Sequence, residues 1–255
     1  MVAQGAAPLG PAMNPRLAGE RSGSGKRDPV ARRANFITLE GGEGAGKSTL
    51  ARGLAAQLGV RGIDCVVTRE PGGSPKAELI RDALLTGQIK PFGPFAEAVM
   101  FYAARIDHIE HMIKPSLARG SWVISDRFAD STRAYQGALG RLDPVLLASL
   151  EHCALAGFSP DLTLMLDVPV DVGLARAAER RGSGTTDRFE SEGRGFHTRL
   201  RKAYLDIAER EPDRCVVIDA SLPPAAVLDM AWAAVDMRLL GGVASRDEGR
   251  PVHGI

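Results

Sequence analysis

Cysteine is scarce in this sequence, and long apolar runs are missing. The three cysteines, Cys65, Cys153 and Cys215, are far apart and form no CxxC pair, so they provide no disulfide framework. Scattered thiols are typical of a reducing compartment, and we expect all three to be inert. Because no apolar run approaches the ~18 residues of a membrane span, we predict a cytoplasmic protein without a membrane partner.

An excess of charge of either sign is also missing. The chain has 32 Lys and Arg residues against 31 Asp and Glu residues, which gives a formal net charge of +1. A protein that binds nucleic acid through a broad basic field needs a clear excess of Lys and Arg. We therefore predict no nucleic-acid partner.

The two ends of the chain differ in composition from the middle. The first 33 residues are rich in Gly, Ala, Pro and Arg, and their only acidic residues are Glu20 and Asp28. Such a segment buries too little surface to fold, so we predict a disordered extension over residues 1–33 and a disordered tail over 241–255. An organellar transit segment, or a true start at Met13, would also explain the N-terminal composition. Residues 34–240 are predicted to form one domain.

Strand-like and helix-like patterns alternate between these ends. Continuous apolar runs predict strands at 35–40, 63–69, 122–125, 162–167 and 215–219. Helical spacing of apolar residues predicts helices at 48–58, 77–85, 95–117, 144–155, 170–179, 196–209 and 223–239, with Pro115 bending or ending the third. The polar segment after the strand at 122–125 is predicted to be a loop. The alternation predicts an α/β fold, with a five-stranded parallel sheet flanked by helices.

A glycine-rich motif follows the first predicted strand and precedes a predicted helix. Residues 41–48 read GGEGAGKS and match G-x-x-x-x-G-K-[ST], the P-loop of NTPases. In a P-loop the backbone N–H groups and the positive end of the helix hold phosphates. Lys47 would contact the β- and γ-phosphates, and Ser48 would ligate Mg²⁺. The residues predicted to bind the phosphates of ATP are Gly41, Gly42, Glu43, Gly44, Ala45, Gly46, Lys47, Ser48 and Thr49.

The P-loop alone does not identify a reaction, because GTPases, motor ATPases and small-molecule kinases share it. The guanine-reading sequence N-K-x-D of GTPases is absent, and 255 residues are few for a motor with its coupling elements. A compact kinase of the P-loop NTPase type remains. Such an enzyme needs an acceptor site and a small mobile lid that carries arginine.

Three further segments provide candidate acceptor residues. Arg69 ends the second strand, at the edge where ligands bind in open α/β sheets. Phe101 and Arg105 are four residues apart and share a helix face, which suits a ring that stacks on a base and a guanidinium that bonds its edge. Asp126, at the end of the third strand, is placed to reach Mg²⁺, usually through water, and Arg127 to bind an acceptor phosphate.

Together these motifs carry a family resemblance. The sequences GGEGAGKST, TREPGG, MFYAAR and DRFADSTRAYQ occur in this order, and over residues 36–239 the chain resembles bacterial thymidylate kinase. The resemblance implies transfer of a phosphoryl group from ATP to thymidine monophosphate (dTMP), with Mg²⁺ as cofactor. It implies dTMP contacts at Glu43, Arg69, Phe101, Arg105, Arg127, Ser131, Thr132, Tyr135 and Gln136.

The resemblance also implies how these residues divide the substrate. Phe101 would stack on thymine, and Arg105 would bond its carbonyl edge. Arg69 and Arg127 would hold the monophosphate. Tyr135 would lie against the deoxyribose and disfavour a 2′-hydroxyl.

Two further positions and a quaternary structure follow from the same resemblance. Glu43 would lie near the sugar hydroxyl and the Mg²⁺ region, and Thr132 near the base. A homodimer is implied, with the helix at 95–117 as the predicted contact region. His108 and His111 are three apart on that helix without a third ligand nearby, and we interpret them as ordinary surface or interface histidines.

The family divides by the position of its catalytic arginine, which some members carry in the P-loop. None of residues 42–45 is basic here. The segment 179–190 (ERRGSGTTDRFE) is rich in Arg and Gly and resembles the lid of the bacterial type, whose closure excludes water and brings positive charge to the transferring group. Arg181 and Arg188 are the first candidates, and Arg180 and Arg176 remain open. The predicted catalytic residues are Lys47, Asp126, Arg127, Arg181 and Arg188.

Two other functions remain open at this point. One is a kinase for a different nucleoside monophosphate or small metabolite. The other is a P-loop regulator that binds nucleotide without turnover. Glu43, Asp126 and the Arg-rich lid together favour an enzyme, since a binding protein would not need them.

Overall fold

The computed structural model describes residues 33–181, 189 and 192–241, with only the backbone of Arg181. Apart from Arg33 and Gly241, the extension predicted at 1–33 and the tail predicted at 241–255 lie outside the described residues. Most of the lid predicted at 179–190 also lies outside them, including Arg188.

The sheet has five parallel strands in the order β2-β3-β1-β4-β5. The strands are β1 (Phe36–Gly41), β2 (Cys65–Arg69), β3 (Trp122–Asp126), β4 (Leu162–Asp167) and β5 (Cys215–Asp219). The predicted fold class and all five predicted strands are confirmed. All six residues of β1 are buried, because β1 lies between β3 and β4 and helices cover both faces. The edge strands are less covered, and Val67 and Val217 are 41% and 45% exposed.

Helices connect the strands and form the outer layers. They are α1 (Lys47–Val60), α2 (Pro75–Leu85), α3 (Gly93–His108), α4 (Lys114–Ala118), α5 (Ala129–Thr132), α6 (Pro144–Leu155), α7 (Val170–Arg181), α8 (Arg194–Arg210) and α9 (Pro224–Val235). A 3₁₀ turn covers Lys90–Phe92, and π-helical segments cover Ile109–Ile113, Arg133–Leu139 and Asp236–Leu240.

The helix predicted at 95–117 continues through Pro115 as α3, a π segment and α4. In the π segment the N–H of Lys114 bonds to the carbonyl of Ile109, five residues earlier. Proline normally clashes with the carbonyl four residues before it, and the wider π turn just ahead of Pro115 is the kind of adjustment that relieves this clash.

The loop predicted after β3 is instead helical, through α5 and the π segment that follows it. That prediction was wrong because the buried positions here are polar, so no apolar period marks the helix. Asp130, Thr132 and Gln136 are each no more than 3% exposed. Asp130 is satisfied by Arg214, which donates to both of its carboxylate oxygens at 2.7 Å. Tertiary contacts therefore stabilise a helix that local sequence does not predict.

The strand ends bring the predicted motifs to one edge of the sheet. Leu39 of β1 and Arg69 of β2 are both in register with Asp126 of β3. The P-loop leaves β1 two residues after Leu39, so the three motifs meet at the carboxyl ends of adjacent strands. None of the helices in the described ranges has the length and apolar character of a bilayer-crossing segment.

Candidate active site

The P-loop packs closely against α7, the helix that leads towards the predicted lid. Gly44 and Gly46 have φ of +66° and +90°, which favour glycine. A side chain on Gly44 would collide with the carbonyl oxygen of Gly173, and a Cβ on Gly173 would lie 2.5 Å from the carbonyl oxygen of Glu43. Two glycines thus allow the loop and α7 to touch through their backbones.

Lys47 is folded back onto the loop that it follows. Its ammonium donates to the carbonyls of Gly41 at 3.1 Å and Gly42 at 2.9 Å. Burial and the neighbouring charge of Arg127 lower the pKa of Lys47 below its ordinary value. The loop carbonyls therefore stabilise the charge of this buried ammonium, and a phosphate could take their place.

Ser48 and Asp126 offer oxygen ligands next to the P-loop. The Ser48 hydroxyl donates to Oδ2 of Asp126 at 2.6 Å. Magnesium prefers such hard oxygens and is commonly held by one or two protein groups together with substrate phosphates. In the described part of the chain, no three His, Cys, Asp or Glu side chains gather into a metal cage. This pair therefore fits a magnesium ion whose remaining ligands come from substrate and water.

Arg127 links the P-loop to α5 and α8. Its Nη2 donates to Glu43 at 2.7 Å, and its Nη1 donates to the hydroxyls of Tyr204 at 2.9 Å and Ser131 at 3.2 Å. Its φ of +73° is unusual for a residue with a side chain, and such strain is common at functional sites.

The same contacts set the ionisation of Glu43. Burial alone would raise its pKa, but the charges of Arg127 and Lys47 and a 3.1 Å hydrogen bond from Tyr135 outweigh burial and lower the pKa to about 2. Glu43 is therefore an anion throughout the neutral range.

Arg105 is 2% exposed, and not all of its hydrogen-bond donors are used. Its Nε donates to Glu70 at 2.7 Å, and its Nη2 donates to the carbonyl of Phe128 at 2.9 Å and to Thr132 at 3.1 Å. Its Nη1 is buried without a hydrogen-bond partner. A buried donor without a partner is costly, so a ligand carbonyl at this point would be stabilising.

The interpretation of His108 as a surface or interface histidine was wrong. Its side chain is fully buried, with Nδ1 3.0 Å from Glu70 and Nε2 2.7 Å from the hydroxyl of Thr68. His111, by contrast, is 61% exposed in its side chain and is paired with Asp107.

Arg69 occupies the other end of the acceptor side. Its Nη2 lies 3.0 Å from both oxygens of Glu78, and the Arg69 side chain is 53% exposed. Glu78 also accepts from the N–H of Gly73 at 2.9 Å, so the carboxylate holds both the arginine and the loop that follows β2.

One cavity of about 490 Å³ unites these groups. The predicted residues that line it are Glu43, Gly44, Ala45, Gly46, Lys47, Ser48, Thr49, Arg69, Phe101, Arg105, Asp126, Arg127, Ser131, Thr132, Tyr135 and Gln136. Gly41 and Gly42 do not line it and contribute their carbonyls to Lys47 instead. A volume of this size suits a small-molecule ligand.

A family model described as thymidylate kinase matches residues 39–231. The chain is 55% identical over 218 residues to a thymidylate kinase of Rhodopseudomonas palustris, covering 84% of this chain and 95% of the relative. It is 52% identical over 220 residues to a thymidylate kinase of Bradyrhizobium, covering 86% and 96%. It is 54% identical over 208 residues to a thymidylate kinase of Nitrobacter hamburgensis, covering 82% and 90%.

The chain belongs to the thymidylate kinase family. The resemblance inferred from the four motifs is thereby confirmed, as is the assignment to the phosphotransferases.

Of the four candidate catalytic arginines, the structure describes the side chains of two, Arg180 and Arg176. Arg180 lines the cavity, and its charge contributes to the low pKa of Glu43. Arg176 instead donates to the carbonyls of Ala220 at 2.7 Å and Ser221 at 3.1 Å, just after β5. Arg188 and the side chain of Arg181 lie outside the described residues.

Several cavity residues were not predicted from the sequence. They are Arg52, Glu70, Pro71, Arg81, Leu85, Phe128 and Phe189. Glu70, Pro71 and Phe128 lie inside quoted motifs, so their position beside Arg69 and Arg127 was a usable signal. Phe189 lies in the predicted lid and meets the ring of Tyr135 edge-on, with centroids 5.0 Å apart. Arg52, Arg81 and Leu85 lie on α1 and α2 without a motif.

Proposed function

We propose that this protein transfers the γ-phosphoryl group of ATP to dTMP, giving ADP and dTDP. The observation that carries the proposal is the single cavity that joins the P-loop to the predicted acceptor residues. Phosphoryl transfer needs donor and acceptor oxygens in line at short range, and a cavity shared by both sets of groups supports that arrangement.

The base end of the acceptor site is proposed to be read by Phe101 and Arg105. Phe101 offers a ring for stacking on thymine, and Nη1 of Arg105 offers the unpaired donor that a thymine carbonyl would satisfy. Thr132, Ser131 and Gln136 complete the polar wall on the α5 side.

The phosphate and sugar of dTMP are proposed to bind at the arginine end. Arg69 and Arg127 carry the positive charge that suits a monophosphate. Tyr135 is held against Glu43 by a 3.1 Å hydrogen bond. In that position the Tyr135 ring would lie beside the deoxyribose and disfavour a 2′-hydroxyl.

The donor side is proposed to bind ATP and Mg²⁺. Ser48 and Asp126 would hold the ion, which neutralises phosphate charge when bound. Lys47 would leave the loop carbonyls for the β- and γ-phosphates. No residue needs to attack covalently, because positioning and charge neutralisation suffice for this reaction. One of the lid arginines, Arg180, Arg181 or Arg188, would add positive charge at the transferring group.

The functional unit is proposed to be a homodimer formed through α3. Phe95, Val99 and Ile106 are 44%, 37% and 43% exposed, although all three are large apolar side chains. Their spacing of four and seven residues places them on one helix face. A second copy of the chain is the partner that would cover this stripe.

A coupled assay of ADP release with dTMP, dUMP, UMP and CMP tests the reaction. We expect dTMP to be preferred over CMP by orders of magnitude. We expect dUMP to be a poor substrate that still reacts, because its missing methyl group costs only ~1–3 kcal/mol. Lys47→Met should abolish turnover, which excludes a contaminating kinase. If CMP reacted as well as dTMP, the thymidylate assignment would be overturned.

A further inference from the structure

A buried chain of hydrogen bonds connects His108 to Arg105. Nδ1 of His108 is 3.0 Å from Oε1 of Glu70, and Nε2 is 2.7 Å from the hydroxyl of Thr68. The second oxygen of Glu70 accepts from Nε of Arg105 at 2.7 Å. The side chains of His108, Glu70 and Arg105 are each no more than 3% exposed.

The direction of these bonds follows from the groups involved. A carboxylate only accepts, so Nδ1 of His108 carries the hydrogen and donates to Glu70. Glu70 is thus held by Arg105 at one oxygen and by His108 at the other. The carboxylate cannot turn without leaving a buried donor unpaired, which is the costly outcome in a protein interior.

The imidazole is enclosed as well as bonded. Gly73 has a φ of +84°, and any side chain there would collide with the imidazole and with the Thr68 hydroxyl. The end of β2 and the loop after it therefore close around the last residue of α3. His108 does not line the cavity, so it has no contact with a ligand there.

Arg105 is the group through which this arrangement reaches the cavity. Its guanidinium is planar and rigid. Its bonds to Glu70 and to the carbonyl of Phe128 therefore fix the position of Nη1, the nitrogen without a partner. A turn of the Glu70 carboxylate would rotate the guanidinium and displace Nη1.

We propose that His108 is a positioning residue for acceptor specificity, acting through Glu70 on Arg105. The proposal rests on the proposed function, in which Nη1 of Arg105 bonds a carbonyl of the acceptor base. The carbonyl meant is the one at C4 of thymine, because cytosine shares the C2 carbonyl but carries an amino group at C4, and two donors cannot bond each other. The ratio of kcat/KM for dTMP to that for dCMP therefore reports how firmly Arg105 is held, and it does not depend on the active fraction of a preparation.

Two variants separate the two ends of the imidazole. In His108→Asn the amide nitrogen occupies the place of Nδ1 and keeps the bond to Glu70. His108→Gln reaches towards Thr68 and loses the donor to Glu70. We expect His108→Gln to lower the dTMP/dCMP ratio about 10- to 100-fold, the effect of one charge-assisted hydrogen bond, through KM for dTMP. His108→Asn should stay within about threefold of the unsubstituted protein, as should kcat and KM for ATP in both variants.

The controls distinguish this proposal from the one on which it rests. His111→Asn alters an exposed histidine three residues away and should change nothing. If Arg105→Met left the ratio unchanged, base reading by Arg105 would be wrong. If Arg105→Met lowered the ratio and His108→Gln did not, only the role of His108 would be overturned. Thermal melting checks that each variant folds. If His108→Gln does not fold, His108→Leu, which also lacks the donor to Glu70, must lower the ratio or the proposal fails.

Discussion

The carboxylate of Glu43, in the P-loop, accepts a 2.7 Å hydrogen bond from Nη2 of Arg127, the residue after β3. The two side chains are only 13% and 16% exposed. The pair joins the loop proposed to bind the donor to the arginine proposed to bind the acceptor. Each charge therefore balances the other.

From this pair we predict that removing the charge of Glu43 destabilises the fold more at neutral pH than at acidic pH. The pKa of Glu43 is lowered from an ordinary 4.5 to about 2, so the charge stabilises the fold above pH 4.5, and the contribution is lost as the pH falls towards 2. Glu43→Gln should therefore cost up to about 3 kcal/mol in the free energy of unfolding at pH 7, and clearly less at pH 3. Urea unfolding at both pH values measures this. The exposed Glu209→Gln is the matched control, and an equal loss at both pH values would contradict the prediction.

Glu40 should change the pH dependence of stability in the opposite direction, at higher pH. Burial and the charge of Asp130 raise its pKa to about 7. The protonated form is therefore favoured by folding, and its contribution, complete below pH 4.5, is lost as the pH rises through about 7. Glu40 accepts from the N–H of Phe128 at 2.7 Å and from the hydroxyl of Ser131 at 2.6 Å, and a glutamine could keep both partners.

Glu40→Gln should therefore flatten the pH dependence of the melting temperature between pH 5 and 8. The unsubstituted protein should lose stability over that range, and the variant should not. Melting curves at unit intervals of pH measure the difference. Parallel curves for the two proteins would show that Glu40 does not titrate in this window.

The contact between Gly173 and the P-loop predicts an effect on nucleotide binding. In Gly173→Ala the new Cβ would lie 2.5 Å from the carbonyl oxygen of Glu43, so the loop must shift. We expect KM for ATP to rise about tenfold or more with a retained circular dichroism spectrum, since ~1 Å of misplacement can cost as much as 10²-fold. Gly59→Ala, in α1, meets nothing within 4 Å and is the control. Equal KM values for the two variants would contradict a role for this contact.

The lid arginines predict a loss of kcat at one position. Arginines of this type supply ~10³–10⁵ in rate, so one substitution among Arg180→Ala, Arg181→Ala and Arg188→Ala should lower kcat by at least about 10³ with KM for dTMP little changed. Arg176→Ala is the control, because Arg176 bonds carbonyls after β5. Losses below tenfold at all three positions would place the catalytic charge elsewhere.

The sheet could be predicted because its strands are apolar and end in motifs. The helix after β3 could not, since Asp130, Thr132 and Gln136 are buried polar residues whose partners come from distant parts of the chain. The helix predicted at 95–117 continues through Pro115, and the π segment just before the proline had no signal in the sequence. Local patterns report backbone preference, and here tertiary contacts override that preference.

The sequence predicted most of the residues that line the cavity, but not how their side chains are hydrogen-bonded to one another. Arg105 was selected for its spacing from Phe101, yet the buried Glu70 that orients it lies 35 residues earlier in the chain. His108 was dismissed because two histidines on a helix suggested only a metal pair. A histidine that bonds a carboxylate and a hydroxyl leaves no pattern in sequence, because its partners are adjacent only in the fold.

The ammonium of Lys47 already satisfies two carbonyls of the P-loop, and Glu43 already neutralises Arg127. Because these charged groups already have partners within the protein, an inhibitor confined to the base end of the cavity would not have to neutralise them. A neutral, thymine-like compound that contacts Phe101 and Nη1 of Arg105 would not need a phosphate mimic, and so could avoid the poor membrane permeation of nucleotide analogues.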